Sequence, residues 1–193
     1  MMEIFDFSIF PVLETERLRL RQITHEDAPA ILALYSNPAV IAYLDINPPI
    51  DTTARAIETI DWMNSWYQQG QAVRWAITRK GEDRLLGTVG FHFWERQHRR
   101  CDIGYDLLEH EWGKGYATEA AQAVVRWCFL NLNLHRVQAD LTEGNLGSEG
   151  VLLKIGFKFE GVWRENTFEH GRFVNLRQFG LLRREYLGEE ENN

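Results

Sequence analysis

Two glycines spaced G-x-G, Gly113 and Gly115, stand in the run Trp112 to Ala120 (WGKGYATEA). Before them Cys101 to Leu108 (CDIGYDLL) reads as a strand, and after them Ala117 to Leu130 reads as an amphipathic helix. The pair therefore falls at a strand-to-helix turn. There the first backbone N–H groups of the helix have no intrahelical acceptor, and the helix dipole presents its positive end. Such an end binds anions, and glycine lets the backbone approach a phosphate with no side chain in the way. The local pattern predicts a pyrophosphate cradle, although a plain structural turn would satisfy the same two glycines. A dinucleotide fingerprint needs a third glycine where Thr118 stands, and the P-loop pattern G-x-x-x-x-G-K-[ST] is absent.

Several elements must position this turn. Arg17 to Gln22 (RLRLRQ) alternates polar and apolar residues, a strand with one buried face. Thr24 ahead of Glu26 and Asp27 predicts a helix N-cap, with the helix running to about Tyr35 and ended by Pro38. Pro48-Pro49 makes a loop, and Asp51 or Thr52 caps a second helix over 54–69, whose apolar face carries Ile57, Ile60, Trp62, Met63 and Trp66. Strands follow at 72–79, 84–94 and 100–108, with Gly81 to Asp83 as a hairpin turn. The helix after the cradle buries Ala117, Ala120, Ala121, Val124, Val125 and Cys128. Then come a strand at 136–142, a short helix capped by Asn145 or Ser148 and ended by Gly156, and strands near 157–164 and 173–183. The expected order is β-α-α-β-β-β-α-β-α-β-β in one domain, with no linker or repeat.

Composition narrows the function classes. With 45% hydrophobic and 12% aromatic residues, 193 residues can enclose one sizeable core. No apolar run approaches the roughly 18 residues of a membrane span. The N-terminus lacks the basic n-region and apolar core of a signal peptide, so no membrane partner and a cytoplasmic location are expected. A net charge of −7 and a pI of about 5.4 argue against a nucleic-acid partner, which needs a basic surface, and suit a cationic acceptor such as a basic N-terminal peptide or a polyamine. Cys101 and Cys128 form no C-x-x-C pair and are expected as buried free thiols. The tail Glu189 to Asn193 (EEENN) reads as a solvated end.

The segment from His110 to Gly115 resembles the acetyl-CoA-binding motif Q/R-x-x-G-x-G/A of the GCN5-related N-acetyltransferases (GNATs), with His110 where the motif has Gln or Arg. The resemblance covers nearly the whole chain and points to the RimJ/RimL-type branch that acetylates the N-termini of ribosomal proteins. It rests on Leu13 to Arg21 (LETERLRLR), Asp27, Trp75 to Thr78 (WAIT), Leu86 to Gly90 (LGTVG), Ile103 to Tyr105 (IGY), Asn145-x-x-Ser148, Lys154 to Phe157 (KIGF) and Glu160-Gly161, in that order. It implies an α/β (α+β) fold in a single domain over 1–193, with a core of about 13–187. A mixed central sheet would be flanked by about four helices and would contain a splayed strand pair that holds acetyl-CoA. The pantetheine chain would pair with the backbone of Leu107 and Leu108. The pyrophosphate would meet the backbone of Gly113, Lys114, Gly115, Tyr116, Ala117 and Thr118, with the Lys114 ammonium adding charge. Asn145 and Ser148 would reach the pantetheine amides or sulfur, though both residue types also cap helices well. The implied assembly is a monomer or a homodimer.

The implied reaction is direct acetyl transfer to a primary amine, with a protein N-terminal α-amine as the favoured acceptor. A small-amine acetyltransferase acting on a polyamine, amino acid or antibiotic is the alternative within the enzyme class. A non-catalytic CoA-binding sensor is the alternative outside it. An α-amine with a pKa near 8 is roughly a tenth free at pH 7, so a weak base suffices for it. The leaving thiolate, with a pKa of about 8.5, needs little or no acid. Relatives place a Tyr four residues before the Gly-Phe pair; here that position is Leu152, so Ser148 or solvent would supply any proton. Asp102 and Asp140 match carboxylate positions used in relatives and are the candidate bases, unless they sit in solvent or pair with Arg99 or Arg136. Glu143 and His92 are lesser candidates. His92, His98 and Cys101 fit no metal-ligand spacing, so no metal is expected. Trp62, Trp66 and Tyr67 either line the acceptor groove or pack in the core. Arg17, Arg19 and Arg21 are expected as solvated edge charges.

Overall fold

The computed structural model describes residues 5–44, 46 and 48–188; the expected solvated end at 189–193 lies outside them. Eight strands form one sheet in the order β1-β2-β3-β4-β5-β6-β8-β7. They are β1 (Leu13–Glu14), β2 (Leu18–Gln22), β3 (Val73–Arg79), β4 (Leu85–Glu95), β5 (Arg100–Leu107), β6 (Arg136–Thr142), β7 (Lys158–Glu169) and β8 (Arg172–Leu182). The helices are α1 (Ala28–Tyr35), α2 (Pro38–Ile41), α3 (Thr53–Gln68), α4 (Tyr116–Asn131), α5 (Leu146–Ile155) and α6 (Arg183–Leu187). The two beyond the expected four, α2 and α6, are about one turn long. Pro38 does not simply end α1: it opens α2, where its missing N–H costs nothing, and Asn37 caps that turn by accepting from the Ala39 N–H at 2.8 Å.

Side-chain alternation sorts the core into two layers. Trp75, Ile77, Val89, Phe91, Cys101, Ile103 and Val137 face α4 and pack on Ala120, Ala121, Val124, Val125 and Cys128. Ala76, Leu85 and Leu108 face the other way, onto Ile31, Leu34, Ile60 and Met63 of α1 and α3. Both cysteines are free and buried, as composition suggested. On α3 the buried residues are Ala56, Ile60, Met63 and Tyr67. Trp62 lies off that stripe and is exposed, with its ring 4.0 Å from Trp66, whereas Tyr67 joins the core.

Arg19 is exposed as expected, with the Asp83 carboxylate 3.9 Å away, but Arg17, just ahead of β2, and Arg21 are held by carboxylates. Arg21 makes two 2.8 Å hydrogen bonds to the buried Asp27 carboxylate, and Arg17 is committed to the cradle described below. Sequence alternation shows which way a side chain points but not whether a later segment covers it.

Candidate active site

Every neighbouring pair in the sheet is antiparallel except β5–β6. That parallel pairing covers three positions, Arg100 with Arg136, Cys101 with Val137 and Asp102 with Gln138. Beyond it β5 stays on β4 as far as Leu107, and β6 stays on β8 as far as Thr142, so the two strands part and leave a wedge with its apex at Asp102–Gln138. Within the wedge the peptide groups of β5 alternate. The Leu108 N–H donates to the Leu86 carbonyl at 2.9 Å and so faces β4. Ile103, Tyr105 and Leu107 therefore turn theirs to the gap. The expected pair of Leu107 and Leu108 thus divides: Leu107 faces the wedge, with its carbonyl taking the Trp112 indole N–H at 2.8 Å, and Leu108 does not. Tyr105 was not singled out from sequence. Its hydroxyl donates to the Ser148 carbonyl at 2.9 Å and bridges β5 to α5.

At the mouth of the wedge, Gly113 (φ 75°) and Gly115 (φ 81°) both take the left-handed conformation that costs other residues about 1–2 kcal/mol. Gly115 is the N-cap of α4, and the first helical bond runs from the Glu119 N–H to the Gly115 carbonyl at 3.1 Å. No side chain caps this end, and the N–H groups of Tyr116, Ala117 and Thr118 have no acceptor among the described residues. A Cβ built on Gly113 meets no atom within 4 Å, so the space above the loop is open. Unpaired donors, a positive dipole end and clear space fit a pyrophosphate.

The loop is fastened from beneath. The Glu119 carboxylate accepts from the Thr15 hydroxyl at 2.5 Å, from the Arg17 N–H at 2.8 Å and from Arg17 Nε at 2.7 Å. Arg17 Nη1 donates to the Lys114 carbonyl at 3.0 Å, and its guanidinium lies 4.8 Å over the Tyr116 ring. Burial pushes the Glu119 carboxyl up, but these bonds outweigh it and hold the group below the usual carboxylate range. The conspicuous LETERLRLR segment is therefore a strap on the cradle. Glu111, also unforeseen, is buried below the loop and accepts from Arg79 Nη2 at 2.8 Å and Lys114 Nζ at 2.9 Å. The Lys114 ammonium is thus held by a carboxylate. His110 meets Arg84 at 3.0 Å. Glu119→Ala removes three hydrogen bonds; we expect it to lower the unfolding free energy by about 1–3 kcal/mol and to weaken acetyl-CoA binding roughly tenfold, about 1.4 kcal/mol. Unchanged affinity by calorimetry would show that the loop keeps its shape without the strap.

Opposite α4, one face of the sheet carries Arg74, His92, Asp102, Asp106, Gln138 and Asp140. Asp102 accepts from Gln138 Nε2 at 2.9 Å at the apex of the wedge. Burial raises its carboxyl, the Gln138 bond lowers it, and the Asp140 charge adds to the rise, for a value of about 6. Asp140 has no side-chain partner among the described residues, and burial raises it too. Neither carboxylate pairs with Arg99, which binds Asn133, or with Arg136, which binds Glu160 and Gln138. Glu143 accepts instead from Asn175 at 2.9 Å. Asn145 caps α5, accepting from the Ser148 N–H at 3.1 Å. Leu152 is fully buried and offers no hydroxyl to the gap. His92 and Cys101 point to opposite faces of the sheet and share no ligand site.

The family follows from a domain match and from sequence relatives. A model of the Acetyltransferase (GNAT) domain matches residues 17–158. The chain belongs to the GNAT family of N-acetyltransferases. Among curated GNAT relatives, the uncharacterized N-acetyltransferase YoaA of Bacillus subtilis (strain 168) is 40% identical over 175 residues, which is 91% of this chain and 98% of YoaA. Among solved structures, the ribosomal L7/L12 α-N-protein acetyltransferase RimL in complex with coenzyme A superposes with a TM-score of 0.80 at 18% identity, over 89% of this chain and 98% of RimL. The ribosomal-protein-S5-alanine acetyltransferase from Vibrio fischeri gives 0.80 at 21% identity, over 91% and 98%. At these identities the structural likeness speaks for the fold. The wedge and the cradle are thus parts of a GNAT domain, whose neighbours bind CoA. No helix among the described residues is long and apolar enough to cross a membrane.

Proposed function

We propose that this GNAT transfers acetyl from acetyl-CoA to the α-amine of a protein N-terminus, in the manner of the ribosomal-protein enzymes whose fold it shares. One observation carries the reading: Asp102 stands unpaired by any cation at the apex of the wedge, with a carboxyl raised to about 6. A base of that strength is ionised at pH 7 and matched to an α-amine with a pKa near 8 rather than to a lysine near 10.4.

The backbone N–H groups of 116–118 would hold the pyrophosphate, and the gap-facing groups of Ile103, Tyr105 and Leu107 would hold the pantetheine amides. When bound, acetyl-CoA supplies the thioester carbon that the amine attacks. The N–C bond forms, the C–S bond breaks with its electron pair going to sulfur, and Asp102 takes the amine proton directly or through water. Ser148 and Tyr105 stand beside the gap as hydroxyls from which a proton could reach the thiolate. Next to Asp102, a cleft of about 370 Å³ lined by Arg100, Arg136, Gln138, Glu160, Trp163 and Gln178 gives room for the first residues of a peptide. It lies on the same sheet face through Gln138.

Calorimetry with acetyl-CoA, followed by thiol release against N-terminal peptides and against spermidine, tests the reading. Release on peptides is expected. Release on spermidine alone would replace it with the small-amine reading. Binding without release on any acceptor would favour the sensor.

A further inference from the structure

Three residues stand in register across the middle of the acceptor face: Arg74 on β3 opposite Gly90 on β4, and Gly90 opposite Gly104 on β5. A Cβ on Gly90 would collide with the Val73 carbonyl oxygen and lie 3.0 Å from Arg74 Cδ. A Cβ on Gly104 would lie 3.2 Å from Arg74 Nη1 and 3.4 Å from His92 Cε1. The two glycines clear a lane in which the Arg74 side chain runs from β3 across β4 to β5.

The guanidinium at the end of that lane is only partly used. Nε donates to the Thr88 hydroxyl at 2.9 Å, and Nη2 binds the Asp106 carboxylate. Tyr35 completes the cluster, donating to Asp106 at 3.0 Å. Nη1 has no acceptor among the described residues, although the side chain is only 18% exposed. It points into the space over Gly104 on the flank where β6 has parted from β5. His92 shares that space. Its ring nitrogens have no hydrogen bond among the described residues, and its backbone is in register with Asp102. Burial and the Arg74 charge push the imidazole down to about 4, so it stays neutral and does not repel an incoming ammonium.

We propose that Arg74 Nη1, over Gly104, donates to the carbonyl oxygen next to the reactive amine, so that this site selects an α-aminoacyl acceptor over an alkyl amine. The proposal rests on the N-terminal reading above and gives it a specificity residue. Asp102 lies two residues from Gly104, roughly 7 Å along β5. An α-amine and the carbonyl oxygen of its own residue are roughly 3 Å apart. An amine on Asp102 therefore brings that oxygen within reach of Nη1, and a polyamine has no such oxygen to offer.

The test compares an N-terminal peptide with the same peptide whose first carbonyl is reduced to methylene, each rate expressed per free amine. Serine amide and spermidine complete the panel. In the wild-type chain kcat/KM for the peptide is expected to exceed that for the reduced analogue about 10- to 100-fold, the range of a hydrogen bond to a charged group. Gly104→Ala, which puts a methyl into the subsite, and Arg74→Lys, which keeps the Asp106 partner charged but removes the second arm, are each expected to collapse that ratio toward one. Equal wild-type rates on peptide and reduced analogue would overturn the carbonyl contact and leave the N-terminal reading intact. A ratio that survives both substitutions would also overturn it. Turnover of serine amide with none of the peptide would overturn the N-terminal reading and leave the contact in place.

Discussion

Gly113→Glu is expected to reduce acetyl-CoA binding at least about 100-fold while leaving the chain folded. The asymmetry comes from the geometry of the loop. The new Cβ meets nothing within 4 Å, so the cost to the fold is the left-handed backbone alone, about 1–2 kcal/mol. The carboxylate, however, would sit over the unpaired N–H groups of α4 and repel the pyrophosphate they are placed to receive. A loss of 100-fold is about 2.7 kcal/mol, well within what a misplaced like charge costs. Calorimetry with acetyl-CoA and a thermal melt of the same sample separate the two effects. Wild-type affinity in the variant would place the pyrophosphate elsewhere.

The second large effect is expected from Asp102→Asn, and its signature is the pH profile. If Asp102 takes the amine proton, kcat/KM in the wild-type chain depends on two ionisations, Asp102 at about 6 and the free α-amine near 8. On logarithmic axes the rate should climb steeply below the first, less steeply between them, and level above the second. Asp102→Asn should remove the lower break and cut kcat/KM by about 10²–10⁴-fold. Asp140→Asn should instead move that break downward, because the Asp140 charge is one of the causes that raise Asp102. A break that survives Asp102→Asn but vanishes in Asp140→Asn would reverse the two roles.

Stability should change in the opposite sense from activity. A carboxyl whose folded value is raised favours folding below its unfolded value, and that contribution is lost as pH rises through the folded one. At pH 7 the ionised Asp102 is therefore a burden on the fold, and the melting temperature of Asp102→Asn is expected to be no lower than that of the wild-type chain. Such a trade of stability for function is what a partly desolvated base requires.

Much of this was legible from local pattern. The G-x-G turn, the strand before it and the amphipathic helix after it are set by residues close in sequence: glycine alone tolerates the left-handed backbone cheaply, and 3.6-residue spacing forces α4 to bury one stripe. Period-two alternation likewise placed Asp102 and Asp140 on strands. The misreadings have two physical origins, tertiary cover and local periodicity. Arg17 and Arg21 read as solvated charges because alternation cannot see that Glu119 arrives from 102 residues away, or that Asp27 folds back onto Arg21 through the turn at 25–27. Trp62 was placed on the buried stripe because it is apolar, although the stripe runs through 56, 60, 63 and 67. Leu108 was paired with Leu107 as a cofactor contact, although adjacent strand residues turn their peptide groups to opposite sides.

The sequence by itself determined the glycine turn ahead of α4, the order of the main elements and the family, because each depends on the conformational limits of neighbouring residues and on motifs in a fixed order. Only the tertiary structure decided where β5 and β6 part, that Asp102 stands at that apex, and that Gly90 and Gly104 clear a path for Arg74. Those facts depend on register between strands far apart along the chain. Register is fixed by how whole faces bury against α4 on one side and α1 and α3 on the other.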